Sequence, residues 1–207
     1  MYFDIAICII TYNRGKRALE NVENILKNIK KNFCVLVLNN GSNLGVEEYK
    51  RIEDLSKENS QLFYKRHKTN IQVHGNFRSC FDFNNSKYIM ILSDEDFVNF
   101  DGLNDILDDL KNYNNVAACR TSIEPHKDLV KPGNSYIYPN EYFMAGVSAL
   151  NGFSFFGNYV SGIIYNLELI KKTDLINILD RHINSHKSYP HLYFDLLVAS
   201  IFDIITT

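Results

Sequence analysis

Apolar and polar positions along the chain alternate between two rhythms. Asp4 to Ile10, Phe33 to Leu38 and Tyr88 to Leu92 are largely apolar runs without helical phase, the pattern of strands covered on both faces of a parallel sheet. Between the first two, Ala18, Val22, Ile25, Leu26 and Ile29 recur at three- and four-residue spacing within Lys16 to Lys31, which predicts one amphipathic helix. Val46 to Lys57 repeats that stripe with Val46, Tyr49, Ile52 and Leu55, Gln61 to Lys65 reads as a short strand, and a further helix uses Phe77, Cys80 and Phe81. Turn residues close the first two strands, in Thr11-Tyr12-Asn13-Arg14-Gly15 and Asn39-Asn40-Gly41-Ser42. Strand, helix, strand with a polar turn after each strand is the grammar of βαβ units. The expected fold is α/β, a mostly parallel sheet flanked by helices, with four strand-end loops along one rim. Ligands bind at such a rim in open α/β sheets.

Beyond Phe97 the pattern loosens. Leu103 to Tyr113 predicts a helix and Val116 to Ser122 a strand; Glu124 to Ser135, with Pro125, Pro132 and Gly133, is expected to be a lid or substrate loop. Asn151 to Tyr165 is rich in glycine and aromatics and has no clean period, Glu168 to Arg181 reads as one helix, and His191 to Ile205 is apolar with Asp195 and Asp203 embedded. The 207 residues fit a single domain, with the regular grammar in 1–100 and a less regular half in 101–207.

Charge narrows the partners. The chain carries 22 Lys and Arg against 24 Asp and Glu, a net −2, so no global field selects nucleic acid. Cys8, Cys34, Cys80 and Cys119 are widely spaced among apolar neighbours without a CxxC pair, as expected of buried reduced thiols. The apolar run at Ile5 to Ile10 is far too short to span a membrane and no basic leader precedes it, so the expected location is cytoplasmic.

The chemistry gathers at Ser93-Asp94-Glu95-Asp96, directly after the Tyr88 to Leu92 strand. Carboxylate oxygens suit Mg²⁺ or Mn²⁺, which take one or two protein carboxylates and complete their shell with water and substrate phosphates. Acidic residues also favour helix N-termini, so these three acids alone are equally compatible with a solvated turn before the Leu103 helix.

Four ordered pieces resemble the family 2 glycosyltransferases over roughly Asp4 to Leu103: Ile9-Ile10-Thr11-Tyr12-Asn13-Arg14, Val37-Leu38-Asn39-Asn40-Gly41-Ser42, Thr69-Asn70 with Gly75-Asn76, and Tyr88-Ile89 leading to Ser93-Asp94-Glu95-Asp96. The resemblance implies the GT-A fold, with residues 1–100 holding the nucleotide-sugar and 101–207 the acceptor. It implies a metal-dependent transfer, with inversion, of a sugar from a nucleoside-diphosphate donor, UDP-sugar favoured, to a glycan or lipid-linked saccharide. That activity would serve bacterial surface glycan synthesis, in the cytoplasm or at the inner membrane face in peripheral association.

On this resemblance the nucleotide-sugar falls to Thr11, Tyr12, Arg14, Asn40, Asn70, Asn76, Arg78, Ser93 and Asp94, and the Mn²⁺ or Mg²⁺ to Asp94, Glu95 and Asp96. The chain departs from the family pattern in three places, the first being Ser93-Asp94-Glu95-Asp96 where Asp-x-Asp is common. Amides, Asn39 and Asn40, close the second strand where an acid is usual, and no Glu-Asp pair follows Glu95 to supply a catalytic base. Asp195 and His191, in the apolar segment opened by Pro190, are the candidate bases, with Asp180 and Asp174 behind them. A nucleotidyltransferase-like enzyme and a sugar-nucleotide binder without turnover remain as alternatives; the first would favour a glycine-rich phosphate loop, and Thr11 to Gly15 has one glycine.

Overall fold

The structure, a computed structural model, describes residues 1–124, 137–154 and 159–207. In chain order it reads β1 (Phe3–Thr11), α1 (Gly15–Asn28), β2 (Phe33–Asn39), α2 (Val46–Glu58), β3 (Leu62–Arg66), α3 (Gln72–Ser79), β4 (Ser86–Ser93), α4 (Phe100–Leu110), β5 (Val116–Arg120), β6 (Glu141–Phe143), α5 (Val147–Ser154), β7 (Ile163–Asn166), α6 (Leu167–Ile170), α7 (Leu175–His182), α8 (Pro190–Ile201) and β8 (Asp203–Thr206). The eight strands form one sheet in the order β3-β2-β1-β4-β7-β5-β8-β6. β1, β2, β3 and β4 are mutually parallel. All seven residues of β2 are buried and β1 is nearly so, as the unbroken apolar runs require of strands with helices on both faces.

One face packs Ile5, Ile7 and Ile9 against Ala18, Val22 and Ile25 of α1 and Ile52 of α2. The other packs Ala6, Cys8 and Ile89 against Phe77, Phe81, Phe194 and Val198 from α3, the turn after it, and α8. The four cysteines are free and buried, and burial pushes the Cys34 thiol up to about 12, so they act as packing groups.

The second half departs from the sequence reading in three ways. β7 begins within the aperiodic stretch and ends one residue beyond it; it runs antiparallel between β4 and β5 and is buried throughout. Glu168 to Arg181 falls in two helices, α6 and α7, separated at Lys171–Asp174; Asn166 caps the start of α6, accepting from Leu169 N at 3.2 Å. After α8 the chain adds β8, parallel to β5; four residues are too few to show a period beside a twelve-residue helix. The expected lid, Glu124 to Ser135, lies almost wholly outside the described residues.

Candidate active site

Parallel register levels the strand ends. Thr11 pairs with Asn39 and Asn39 with Arg66, while Ile10 pairs with Ser93, so four carboxyl-terminal strand ends open onto one rim. Backbone contacts then draw their loops together. A Cβ on Gly15 would sit 2.4 Å from the carbonyl oxygen of Gly45, and Gly41, at φ +69°, would meet Thr69 at the same distance. Only glycine permits both approaches.

The first loop is anchored through Tyr49 on α2. Its hydroxyl shares a 2.7 Å hydrogen bond with that of Thr11 and accepts from the Arg14 backbone N–H at 3.1 Å. Tyr12 stands 41% exposed at the rim, an open aromatic face. The Arg14 guanidinium reaches across to β4, donating to Asp94 at 3.3 Å and to Glu95. Asp94 is buried; burial pushes its carboxyl up, and the Thr11 hydroxyl and Arg14 charge only partly offset this.

The amides serve the scaffold. Asn40 accepts from Ile71 N at 2.9 Å and donates to Gln72 O at 3.1 Å, so both ends of its side chain tie the second loop to the start of α3. Asn40, expected at the nucleotide-sugar, thus also holds the second loop in place. Asn70 accepts from Gln72 N at 2.7 Å, and Asn76 donates to Leu38 O at 3.1 Å. Arg78, expected at the nucleotide-sugar, forms a fork on Asp180 of α7, at 2.5 and 3.0 Å, and a 2.7 Å bond to Asp82. A bidentate pair fixes the guanidinium plane. Asp180 is thereby an ion-pair partner, and Asp174 is exposed and paired with Arg181.

Asp96 is held most completely. Its carboxylate accepts from Tyr159 Oη at 3.0 and 3.2 Å and from Ser161 Oγ at 2.6 Å, and its carbonyl accepts from Asn21 Nδ2 at 2.7 Å. Ser161 Oγ also accepts from Ser93 N at 2.9 Å. Tyr159 and Ser161 arrive here because β7 is antiparallel, so the residues entering it start at the rim where β4 ends. Tyr159 belongs to the aromatic stretch singled out above, where it reaches a carboxylate with its hydroxyl; Phe153 packs its ring 4.8 Å from the Arg120 guanidinium; Phe155 and Phe156 lie outside the described residues.

A cavity of about 280 Å³ adjoins the acids. Ser93, Glu95, Tyr159 and His191 bring polar groups to its wall; Ile10, Val73, Phe77 and Val160 line the rest, with Ser188, Tyr189 and Pro190 at the entry to α8. A smaller cavity, about 190 Å³, lies between α2 and the ends of β2 and β3, bordered by Asn39, Tyr49, Tyr64 and Arg66. The two candidate bases separate. His191 lines the larger cavity, whereas Asp195 is not among its lining residues. Both Asp195 oxygens are engaged, Oδ2 by Arg120 Nη2 at 2.6 Å and Oδ1 by Tyr165 Oη at 2.5 Å. All three of these side chains are buried. Desolvation pushes the Asp195 carboxyl up to about 6 against the pull of Arg120 and Tyr165.

Tyr49, Asn21, Arg120, Tyr159, Ser161 and Tyr165 escaped the sequence reading as site residues. One signal was present: an arginine closing the apolar run Val116-Ala117-Ala118-Cys119 needs a buried counterion.

The sheet order, the level rim and the acidic strand end define a GT-A fold. The model of glycosyl transferase family 2 matches residues 6–173, most of the chain, and the protein belongs to that family. Among solved structures, TarS 1–349 of S. aureus superposes with TM-score 0.71 at 15% identity, covering 99% of this chain and 58% of that one. TarS 1–349 in complex with UDP-GlcNAc gives TM-score 0.68 at 13% identity, with 99% and 56% covered. The mannosyltransferase PcManGT from Pyrobaculum calidifontis, in complex with GDP-Man and Mn²⁺, gives 0.54 at 12% identity, with 83% and 47% covered. At these identities the likeness is one of fold, and this chain spans less than three fifths of TarS 1–349. Comparison with curated proteins returned no match. Among the described residues no helix is long and apolar enough to cross a membrane.

Proposed function

We propose that the protein transfers a sugar, with inversion, from a nucleoside-diphosphate donor to a hydroxyl of a glycan or lipid-linked saccharide, as a step in surface glycan synthesis. The observation that carries this reading is the convergence on one rim of an exposed aromatic, Tyr12, a cation, Arg14, the acids Asp94 to Asp96, and His191 across the adjoining cavity. Family membership supports it, as do the complexes of similar folds with UDP-GlcNAc and GDP-Man. Tyr12 offers a face to the base, Arg14 neutralises phosphate, and His191 takes the proton of the attacking hydroxyl.

A divalent cation fits the donor set. Among the described residues no three His, Cys, Asp or Glu side chains converge, yet Mg²⁺ and Mn²⁺ need only one or two protein carboxylates when a diphosphate supplies further oxygens. Asp96 would be the principal ligand, since the hydroxyls on it leave lone pairs free; Asp94 or Glu95 would assist once Arg14 turns to phosphate. The bound ion would supply positive charge to the departing diphosphate.

Titration calorimetry tests the reading. UDP should bind with Mn²⁺ or Mg²⁺ and lose that binding on chelation, and Asp96→Ala should abolish the metal-dependent part while the fold persists. Unchanged metal-dependent binding by Asp96→Ala would remove Asp96 from the site; preference for GDP over UDP would change the donor.

A further inference from the structure

The reaction as proposed leaves a set of buried polar groups unused. Asp195, Arg120 and Tyr165 form an ion pair and a hydrogen bond at 2.6 and 2.5 Å, each side chain at most 2% exposed. Burying two charges is costly even when they pair, and a well-packed apolar substitute is often as stable, so the pair is poorly explained by stability alone. One further contact of Arg120 leads toward the rim. Arg120 Nη1 donates to the Tyr159 carbonyl at 3.0 Å, the Tyr159 hydroxyl donates to Asp96, and Ser161, two residues on, donates to Asp96 while accepting from Ser93 N. Hydrogen bonds at either end of the Tyr159–Ser161 segment therefore link the core of α8, through that segment, to the acidic strand end. Arg120 closes β5 and pairs with Ile163, the first residue of β7, so the guanidinium has a short, rigid reach to the segment entering β7.

We infer that Asp195 is a positioning residue, acting through Arg120 and the Tyr159–Ser161 segment to set the Asp96 carboxylate for a cation and diphosphate. The inference rests on the reading of Asp96 as the cation-side acid. It gives Asp195 an indirect role where the sequence suggested a base, and it makes Tyr159 and Ser161 the groups that orient Asp96. Hydroxyls of this kind matter because partners of a metal-binding carboxylate typically change metal affinity by about 10 to 100-fold when removed.

Two measurements on the whole chain decide it. The first needs no ligand: hydrogen exchange of the segment 92–97 in wild type, Tyr159→Phe and Asp195→Asn. Exchange there should rise severalfold in both variants, with β1 and β2 unchanged; wild-type protection of 92–97 in both would overturn the inference. Tyr159→Phe removes one hydroxyl from a partly exposed ring, so it keeps the test open should Asp195→Asn fail to fold. The second is calorimetry of UDP with and without Mn²⁺. The Mn²⁺-dependent gain in affinity should fall about 10-fold or more in each variant and no further in the double variant, because residues in one series are not additive; metal-free UDP binding should stay put. Additive losses, or none, would overturn it. A wild-type protein that binds UDP without any metal effect would count against the donor-site reading, and the exchange measurement would still decide the positioning role.

Discussion

His191 and Asp195 lie four residues apart on one helix and have different surroundings. His191 borders the cavity beside the acids, so His191→Gln should lower turnover by about 10² to 10⁴ and leave the dissociation constant for the nucleotide nearly unchanged. Single-turnover transfer, once an acceptor is in hand, measures this; a loss confined to nucleotide affinity would refute the base assignment. Asp195 faces Arg120 and Tyr165, with its pKa raised to about 6 by burial. An unfolded aspartate titrates near 3.9, so between about pH 4 and 6 the native state holds the extra proton. The stability contributed by this group therefore falls as pH rises through that window and is level above it. Chemical denaturation of wild type and Asp195→Asn at pH 4.5 and 7.5 should show the wild-type protein losing ground to the variant at the higher pH; an equal difference at both would contradict the shifted pKa.

Among the elements, the strand-end loops are controlled by close backbone contacts. Gly15 opens α1 against the Gly45 carbonyl, where a Cβ would come within 2.4 Å. Gly15→Ala must displace one loop from the other, a strain of about 1–3 kcal/mol, and it should carry Arg14 and the Tyr49 anchor with it. Thermal melting should fall by several degrees and UDP affinity should drop together with it; a variant that melts as wild type would show that the loops can separate freely. The same elements show where sequence reading succeeds. Val22, Ile25 and Ile52 occupy the faces their spacing implied because a long amphipathic helix beside a buried strand has one way to cover its stripe. β7 and β8, at four residues each, are shorter than any window in which a period can be told from chance.

Across the whole molecule, the expected division into residues 1–100 and 101–207 meets a continuous sheet. β7 of the second half pairs directly with β4 and, on its other edge, with β5, and one core joins α3 of the first half to α8 of the second. We propose that the two form a single folding unit. Urea unfolding should give one cooperative transition, coincident by far-UV circular dichroism and tyrosine fluorescence; two resolved transitions would make the halves separate domains.

The sequence by itself determined the α/β class, the order of the first four strands' loops, and the placing of Thr11, Tyr12, Arg14 and the acids at strand ends, because burial on both faces and turn chemistry are local properties written in consecutive residues. Tertiary structure alone decided which side chains face the cavity and which are held by partners. Asn40 turned to the Ile71–Gln72 backbone, Arg78 to Asp180, and Asp195 to Arg120, each toward a partner between 31 and 102 residues away. An amide, a guanidinium or a carboxylate has the same chemistry in a site and in a scaffold. Its role follows from whichever partner lies within about 3 Å, and that distance is set by the packing of segments far apart in the chain, which a single sequence does not spell out.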